Sequence, residues 1–246
     1  MKFDRSFYRL QLPILVGVVT VILAVRSSIV EPFRITTRTM LPGLLTGDFL
    51  FVNKMEYGLH IPFSESWASE PKIISGRRGP VRGDVIIFTT PEPGQETMHI
   101  KRVVGLPGDR IRYENKTLSI NGIAVKKTEI LPPERDAVFN QPGFDPEDRY
   151  DKSKLKLYQE SYGDSAAYYV IEDSTFEPQK PLEVKVEQNN YFVLGDNRDD
   201  TKDSRNFGVI PFPSVRGKAF VIWLSFRFGF DSKWSFRGNR FGQGIQ

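Results

Sequence analysis

The sequence predicts a mainly β protein: an antiparallel β core, a smaller inserted β domain and one N-terminal transmembrane helix. Three observations lead there. The one long uncharged apolar run lies at the N-terminus. After Pro32 the apolar stretches become short and are punctuated by Gly and Pro. Few segments show helical spacing over ten residues or more. The 246 residues suit one large domain or two small ones, and 39% hydrophobic residues suffice for a core.

Lys2, Arg5 and Arg9 precede Leu12–Val25, which holds no charge. That run is short for a membrane span of about 20 residues. Extending it over residues 10–30 gives the length and takes in Gln11 and Arg26. Arg26 falls near the end, where its stem can reach the interface. The basic start places residues 1–9 in the cytoplasm. A cleaved signal peptide has a similar pattern, but bulky Ile22 makes a poor site after Ala24. A buried core strand would be unusually long.

Further on, Phe49–Val52 follows Thr46-Gly47-Asp48, and Val85–Thr89 follows Arg82-Gly83-Asp84. Ile100–Val104 precedes Gly105-Leu106-Pro107-Gly108-Asp109. Leu118–Ile120 leads into Asn121-Gly122, a hairpin signal. Ala167–Ile171, Leu182–Val186, Tyr191–Leu194 and Ala219–Phe226 are further strand candidates. Residues 128–190 carry 14 acidic and 7 basic side chains, against 16 and 27 in the rest. Such a charge contrast marks an insertion.

Composition excludes much chemistry. Zero Cys removes disulfides, thiol nucleophiles and thiolate metal sites, and two His leave little for a histidine-built one. No Gly-rich loop ends in Gly-Lys-Ser/Thr. Asp196–Asp203 lacks the spacing of a calcium loop. A triad would need His60 or His99, either of which reads as an ordinary structural residue. The basic and aromatic Trp234–Phe241 suits anionic headgroups better than nucleic acid, or forms a loose tail.

A hydroxyl with a lysine remains. Thr36-Thr37-Arg38-Thr39-Met40 follows the apolar run. His99 and Lys101 share one strand face. A lysine is a general base only when neutral, which burial promotes.

These motifs resemble the bacterial type I signal peptidases, membrane-anchored Ser/Lys proteases. The resemblance runs through Glu31-Pro32-Phe33-Arg34-Ile35, Met40-Leu41-Pro42 and Leu44-Leu45-Thr46-Gly47-Asp48-Phe49. It continues in Lys101-Arg102-Val103-Val104-Gly105-Leu106-Pro107-Gly108-Asp109, Gly195-Asp196-Asn197-Arg198-Asp199 and Asp203-Ser204-Arg205. It implies a core of residues 31–109 and 191–246 around an inserted domain of 110–190. It implies removal of signal peptides from exported preproteins outside the cytoplasmic membrane, with lipid contact, no nucleic acid, no cofactor and a monomeric chain. Lys101 would be the base, and Asp203 and Arg205 would hold the loop beside it. Met40, Val85, Ile86 and Phe88 are expected along the substrate groove.

The family reads Ser-x-Ser-Met where this chain reads Thr37-Arg38-Thr39-Met40. The nucleophile position is thus Thr39, the oxyanion hydroxyl falls at Thr37, and a third hydroxyl expected on the lysine falls at Thr201. Arg38 replaces a usual Gly. Threonine can serve as a nucleophile, though its methyl restricts χ1. A silent homologue that binds signal sequences or regulates a partner is the alternative, and Arg38 could either block the cleft or stabilise negative charge.

Overall fold

The computed structural model describes residues 9, 11–61, 64, 73–76, 78–92, 95–144, 149–163, 165–227 and 235–245. Its strands are β1 (Val30–Arg34), β2 (Asp48–Asn53), β3 (Leu59–His60), β4 (Ile73–Ser75), β5 (Val85–Glu92), β6 (Gln95–Gly105), β7 (Arg110–Glu114), β8 (Thr117–Ile120) and β9 (Ile123–Ala124). There follow β10 (Lys126–Ile130), β11 (Leu155–Ser161), β12 (Tyr168–Asp173), β13 (Leu182–Lys185), β14 (Asn190–Leu194), β15 (Ile210–Pro211), β16 (Val215–Arg227) and β17 (Ser235–Phe236). The α-helices are α1 (Leu12–Ser28), α2 (Glu134–Phe139) and α3 (Ser204–Phe207).

Eight strands form one sheet in the order β1-β2-β16-β5-β6-β14-β15, with β17 on β16. Its partners run antiparallel. Residues 110–185 build two smaller sheets, β13-β7-β8-β9 and β10-β11-β12. The turn between β8 and β9 has Asn121 at φ 53° and Gly122 at φ 82°. This is the left-handed pair that a tight hairpin of this kind requires.

The core is continuous across these sheets. Val104, Phe192 and Leu194 of the large sheet pack with Ile111, Leu118 and Ile120. Leu41 and Leu45 pack with Phe139, Leu157 and Ile171. The loop after β1 is thereby clamped from the side of the smaller sheets.

Two expectations need correction. Helix α1 covers 17 residues rather than the expected span of 10–30, because Val30 already opens β1. At 1.5 Å per residue it rises about 26 Å, less than the roughly 30 Å of a bilayer core. No helix among the described residues is long and apolar enough to cross a membrane. Residues 1–8, expected in the cytoplasm, and Leu10, expected to open the span, lie outside the described residues.

The second correction concerns the C-terminal segment. Trp234 lies outside the described residues, but Arg237 and Arg240 are buried and do not face lipid. Both pair with Asp48, which has no exposed surface. The basic composition of this stretch serves an internal carboxylate, while Phe236 and Phe241 remain exposed.

Candidate active site

Residues 35–47 leave β1 and return to β2 as a closed loop. Ile35 N–H donates to Asp48 O, and Gly47 N–H donates to Ile35 O, each at 2.8 Å. Met40, Leu41, Leu44 and Leu45 sink into the core. That burial fixes the loop and leaves Thr39 half-buried at its rim. Asn197 holds the same turn from the far side. Its backbone N–H donates to Thr39 O at 3.1 Å and its Nδ2 to Arg38 O at 3.2 Å.

Lys101 reaches this rim from β6. Its Nζ donates to Thr39 Oγ1 at 2.9 Å and to Ile100 O at 2.9 Å. Thr37 Oγ1 lies 3.3 Å from Thr39 Oγ1. Lys101 is only 3% exposed. Burial pushes its amine down to about 8 from the ordinary 10.5, against the opposing pull of Asp203 and Asp196. Desolvation wins because neither carboxylate contacts Nζ, while the charged form has lost its water.

Other ions beside the lysine are paired. Arg102 forms a two-pronged contact with Asp196 at 2.8 and 2.6 Å. Asp203 accepts Arg205 Nε at 2.9 Å and Nη2 at 2.8 Å, and also Gly195 N–H at 3.1 Å. Asp203 caps α3 as well, in a capping box with Asn206. Arg205 Nη2 donates onward to Arg198 O at 2.6 Å. Arg198, itself buried, grips Glu160 at 2.7 and 2.5 Å. These links tie β11 to the loop after β14 that lies beside Lys101.

A cavity of about 710 Å³ opens over the hydroxyl and the amine. Thr37, Thr39, Lys101 and Thr201 line it, with Phe33, Ile35, Met98 and Ile100 as apolar walls. The structure therefore brings Thr37, Thr39 and Lys101 together. Thr201 joins them at the wall, but its hydroxyl donates to Lys202 O at 3.5 Å rather than meeting the lysine. Asp203 and Arg205 stand behind as a pair.

The expected groove residues lie elsewhere. Val85, Ile86 and Phe88 are 2%, 0% and 0% exposed and belong to the core. Ile86 pairs with Lys101 across the sheet, and Phe88 with His99. Directly opposed residues share a face. These side chains therefore back the lysine strand and help to desolvate it. Met40 likewise packs inward with Ile35, Leu44 and Ile100. An apolar run cannot reveal which wall faces a groove, so Phe33, Ile35, Met98 and Ile100 were missed. The Arg198–Glu160 pair joins residues 38 apart, and no local pattern announces it.

Fold and site together describe a mainly β protein that sets a hydroxyl against a partly neutralised amine. Residues 9–224 match the family described as signal peptidase, peptidase S26. The chain is 35% identical to signal peptidase I of Pseudomonas aeruginosa over 237 residues, covering 92% of this chain and 72% of that one. It is 33% identical to signal peptidase I of Rickettsia felis over 221 residues, covering 85% and 76%. A solved signal peptidase I from Enterococcus faecalis shares 26% identity over 57% of this chain and 97% of its own, with a TM-score of 0.31. This chain belongs to the bacterial type I signal peptidase family, whose members are serine endopeptidases.

Proposed function

We propose that this chain removes signal peptides from exported preproteins with Thr39 as nucleophile and Lys101 as general base. The observation that carries the reading is the 2.9 Å approach of a buried amine, lowered to about 8, to the Thr39 hydroxyl. Once Lys101 is neutral, its lone pair accepts the Thr39 proton. Thr39 Oγ1 attacks the carbonyl after a small residue of the substrate. The Thr37 hydroxyl and the Thr39 N–H stabilise the oxyanion. Lys101 returns the proton to the leaving amine, and water releases the acyl-enzyme. Asp203 and Arg205 hold the loop that faces the lysine, and Thr201 fills its wall.

Helix α1 supports attachment to the cytoplasmic membrane. Seven of its apolar side chains, from Ile14 to Leu23, are 44–62% exposed. Such a surface suits lipid and not water. Lys2, Arg5 and Arg9 favour anionic headgroups beside this helix.

The test is cleavage of a purified preprotein by the wild type, Thr39→Ala, Thr39→Ser and Lys101→Ala in detergent. The wild type and Thr39→Ser are expected to cleave, with the two other variants at background. The γ-methyl crowds the attacking oxygen, and crowding of this kind costs about 1–3 kcal/mol. At about 1.4 kcal/mol per tenfold, Thr39→Ser should therefore gain roughly 5–150-fold. A silent wild type that gains activity only as Thr39→Ser would end the working-threonine reading. Cleavage by Lys101→Ala would end the dyad.

A further inference from the structure

Two consecutive two-residue hairpins join β7, β8 and β9. Glu114 pairs with Thr117 across the first turn, and Ile120 with Ile123 across the second. Tight hairpins of this kind need left-handed backbone at both central residues. The second turn uses Asn121 and Gly122, at φ 53° and 82°. The first uses Asn115 and Lys116, at φ 50° and 59°. Glycine meets that requirement freely, whereas the Cβ of a lysine opposes it. A lysine held there, where glycine would serve, points to a use for its side chain.

That side chain leaves the small sheet. Lys116 Nζ donates to Asp173 O at 2.8 Å, at the end of β12, and to Asp199 Oδ2 at 2.9 Å, in the loop after β14. The same Oδ2 accepts Asp173 N–H at 2.8 Å. The Asp199 side chain is only 7% exposed, so the ammonium compensates a charge that water barely reaches. The turn is itself braced from β10. Lys127 Nζ donates to Lys116 O at 3.0 Å and pairs with Glu172 of β12.

Asp199 sits between two residues through which its loop meets the reacting groups. Two positions before it, Asn197 donates to Thr39 O and to Arg38 O. Two positions after it, Thr201 lines the cavity with Thr39 and Lys101. We propose that Lys116 is a positioning residue for the cleavage reaction. Through Asp199 it fixes residues 197–201, and with them the Thr39 carbonyl and one wall of the cavity. This inference rests on the proposed cleavage by Thr39 and Lys101. It makes the β13-β7-β8-β9 sheet a working part of the site.

The experiment follows preprotein cleavage in detergent by the full chain. It compares the wild type, Lys116→Gly, Lys116→Arg, Asp199→Asn and the Lys116→Gly/Asp199→Asn double variant, well below the melting temperature of each. Lys116→Gly gives the first turn the residue type that the second already has, so the hairpin is kept and the ammonium is lost. It should lower kcat by tenfold or more and change KM less than threefold. Lys116→Arg keeps a cation with several donors and should stay within threefold of the wild type. The double variant strands no charge. It should be no more than twofold slower than the slower single variant, because both substitutions break one link. A wild-type kcat in Lys116→Gly, with only the melting temperature lowered, would reduce Lys116 to a structural contact and overturn the proposal. So would a change confined to KM, or losses that multiply in the double variant. If Lys116→Gly does not fold, the double variant decides. A loss there equal to that of Asp199→Asn supports the proposal, and kcat at the wild-type level overturns it. Each of these outcomes leaves the cleavage reaction standing, since the wild type still cleaves. A wild type that cleaves no preprotein would overturn both.

Discussion

Lys101 Nζ meets Thr39 Oγ1 at 2.9 Å although 62 positions of chain separate the two residues. Only the folded sheet makes this pair, and the same fold sets the protonation state of the amine. Burial lowers it to about 8. The reactive form is the neutral one, so kcat/KM should rise about tenfold per pH unit below about 8 and level off above it. A pH–rate profile on a neutral peptide substrate checks this. A rate that falls across pH 6–8 would contradict it.

The same burial has a thermodynamic consequence. The folded-state value lies below the unfolded one, so the unfolded chain binds more protons between about 8 and 10.5. Stability therefore rises with pH across that window, and the charge penalty is fully present below it. The difference corresponds to about 3 kcal/mol. Lys101→Met should be inactive yet more stable than wild type at pH 7 by up to that amount. The gain should fade by pH 10.5. Urea unfolding at the two pH values measures it.

Much of the large sheet was legible. β2, β5, β6 and β14 are apolar runs beside Gly-Asp pairs, β16 is a long apolar run, and the Asn121-Gly122 hairpin falls where expected. β7, β10 and β11 were not legible because they are short and rich in charge, as in Arg-Ile-Arg-Tyr-Glu at 110–114. The hydroxyl and lysine of the site were legible as a resemblance. The groove was not, because Val85-Ile86-Ile87-Phe88 is apolar on both faces and buried on both. The C-terminal arginines misled for a related reason. Their carboxylate is about 190 positions away, as in the Arg240 contact with Asp48.

Gly195 allows the Thr39 loop and the Thr201 turn to touch. A Cβ there would sit 2.5 Å from Thr201 Oγ1 and 2.7 Å from Thr39 O. The first neighbour is a side chain, but the second is the backbone carbonyl of Thr39 itself. Thr39 O is also the acceptor for Asn197 N–H. Gly195→Ala should cost about 1–3 kcal/mol of stability and lower kcat/KM by tenfold or more. Circular dichroism melting alongside preprotein cleavage separates the two effects. Unchanged cleavage would show that the loop yields freely.

Asp48 joins the C-terminal segment to the loop that carries Thr39. Its carboxylate accepts Arg240 Nη2 at 2.6 Å, Arg240 Nε at 3.1 Å, Ser225 Oγ at 2.6 Å and Leu45 N–H at 2.8 Å. The arginines reach further still. Arg240 Nη2 donates to Gly43 O and Arg237 Nη2 to Thr46 O, each at 2.8 Å. Residues 235–240 therefore brace the return of the loop that carries Thr39. Removing one partner leaves a buried charge uncompensated, which costs about 3–5 kcal/mol. Arg240→Ala should lose stability of that order in detergent and in vesicles alike, with cleavage falling as the loop loosens. Asp48→Ala should lose as much, and the double variant less than the sum, because the first loss already strands the second charge. A segment held at lipid would behave differently. There Arg240→Ala would weaken vesicle binding and leave unfolding in detergent unchanged.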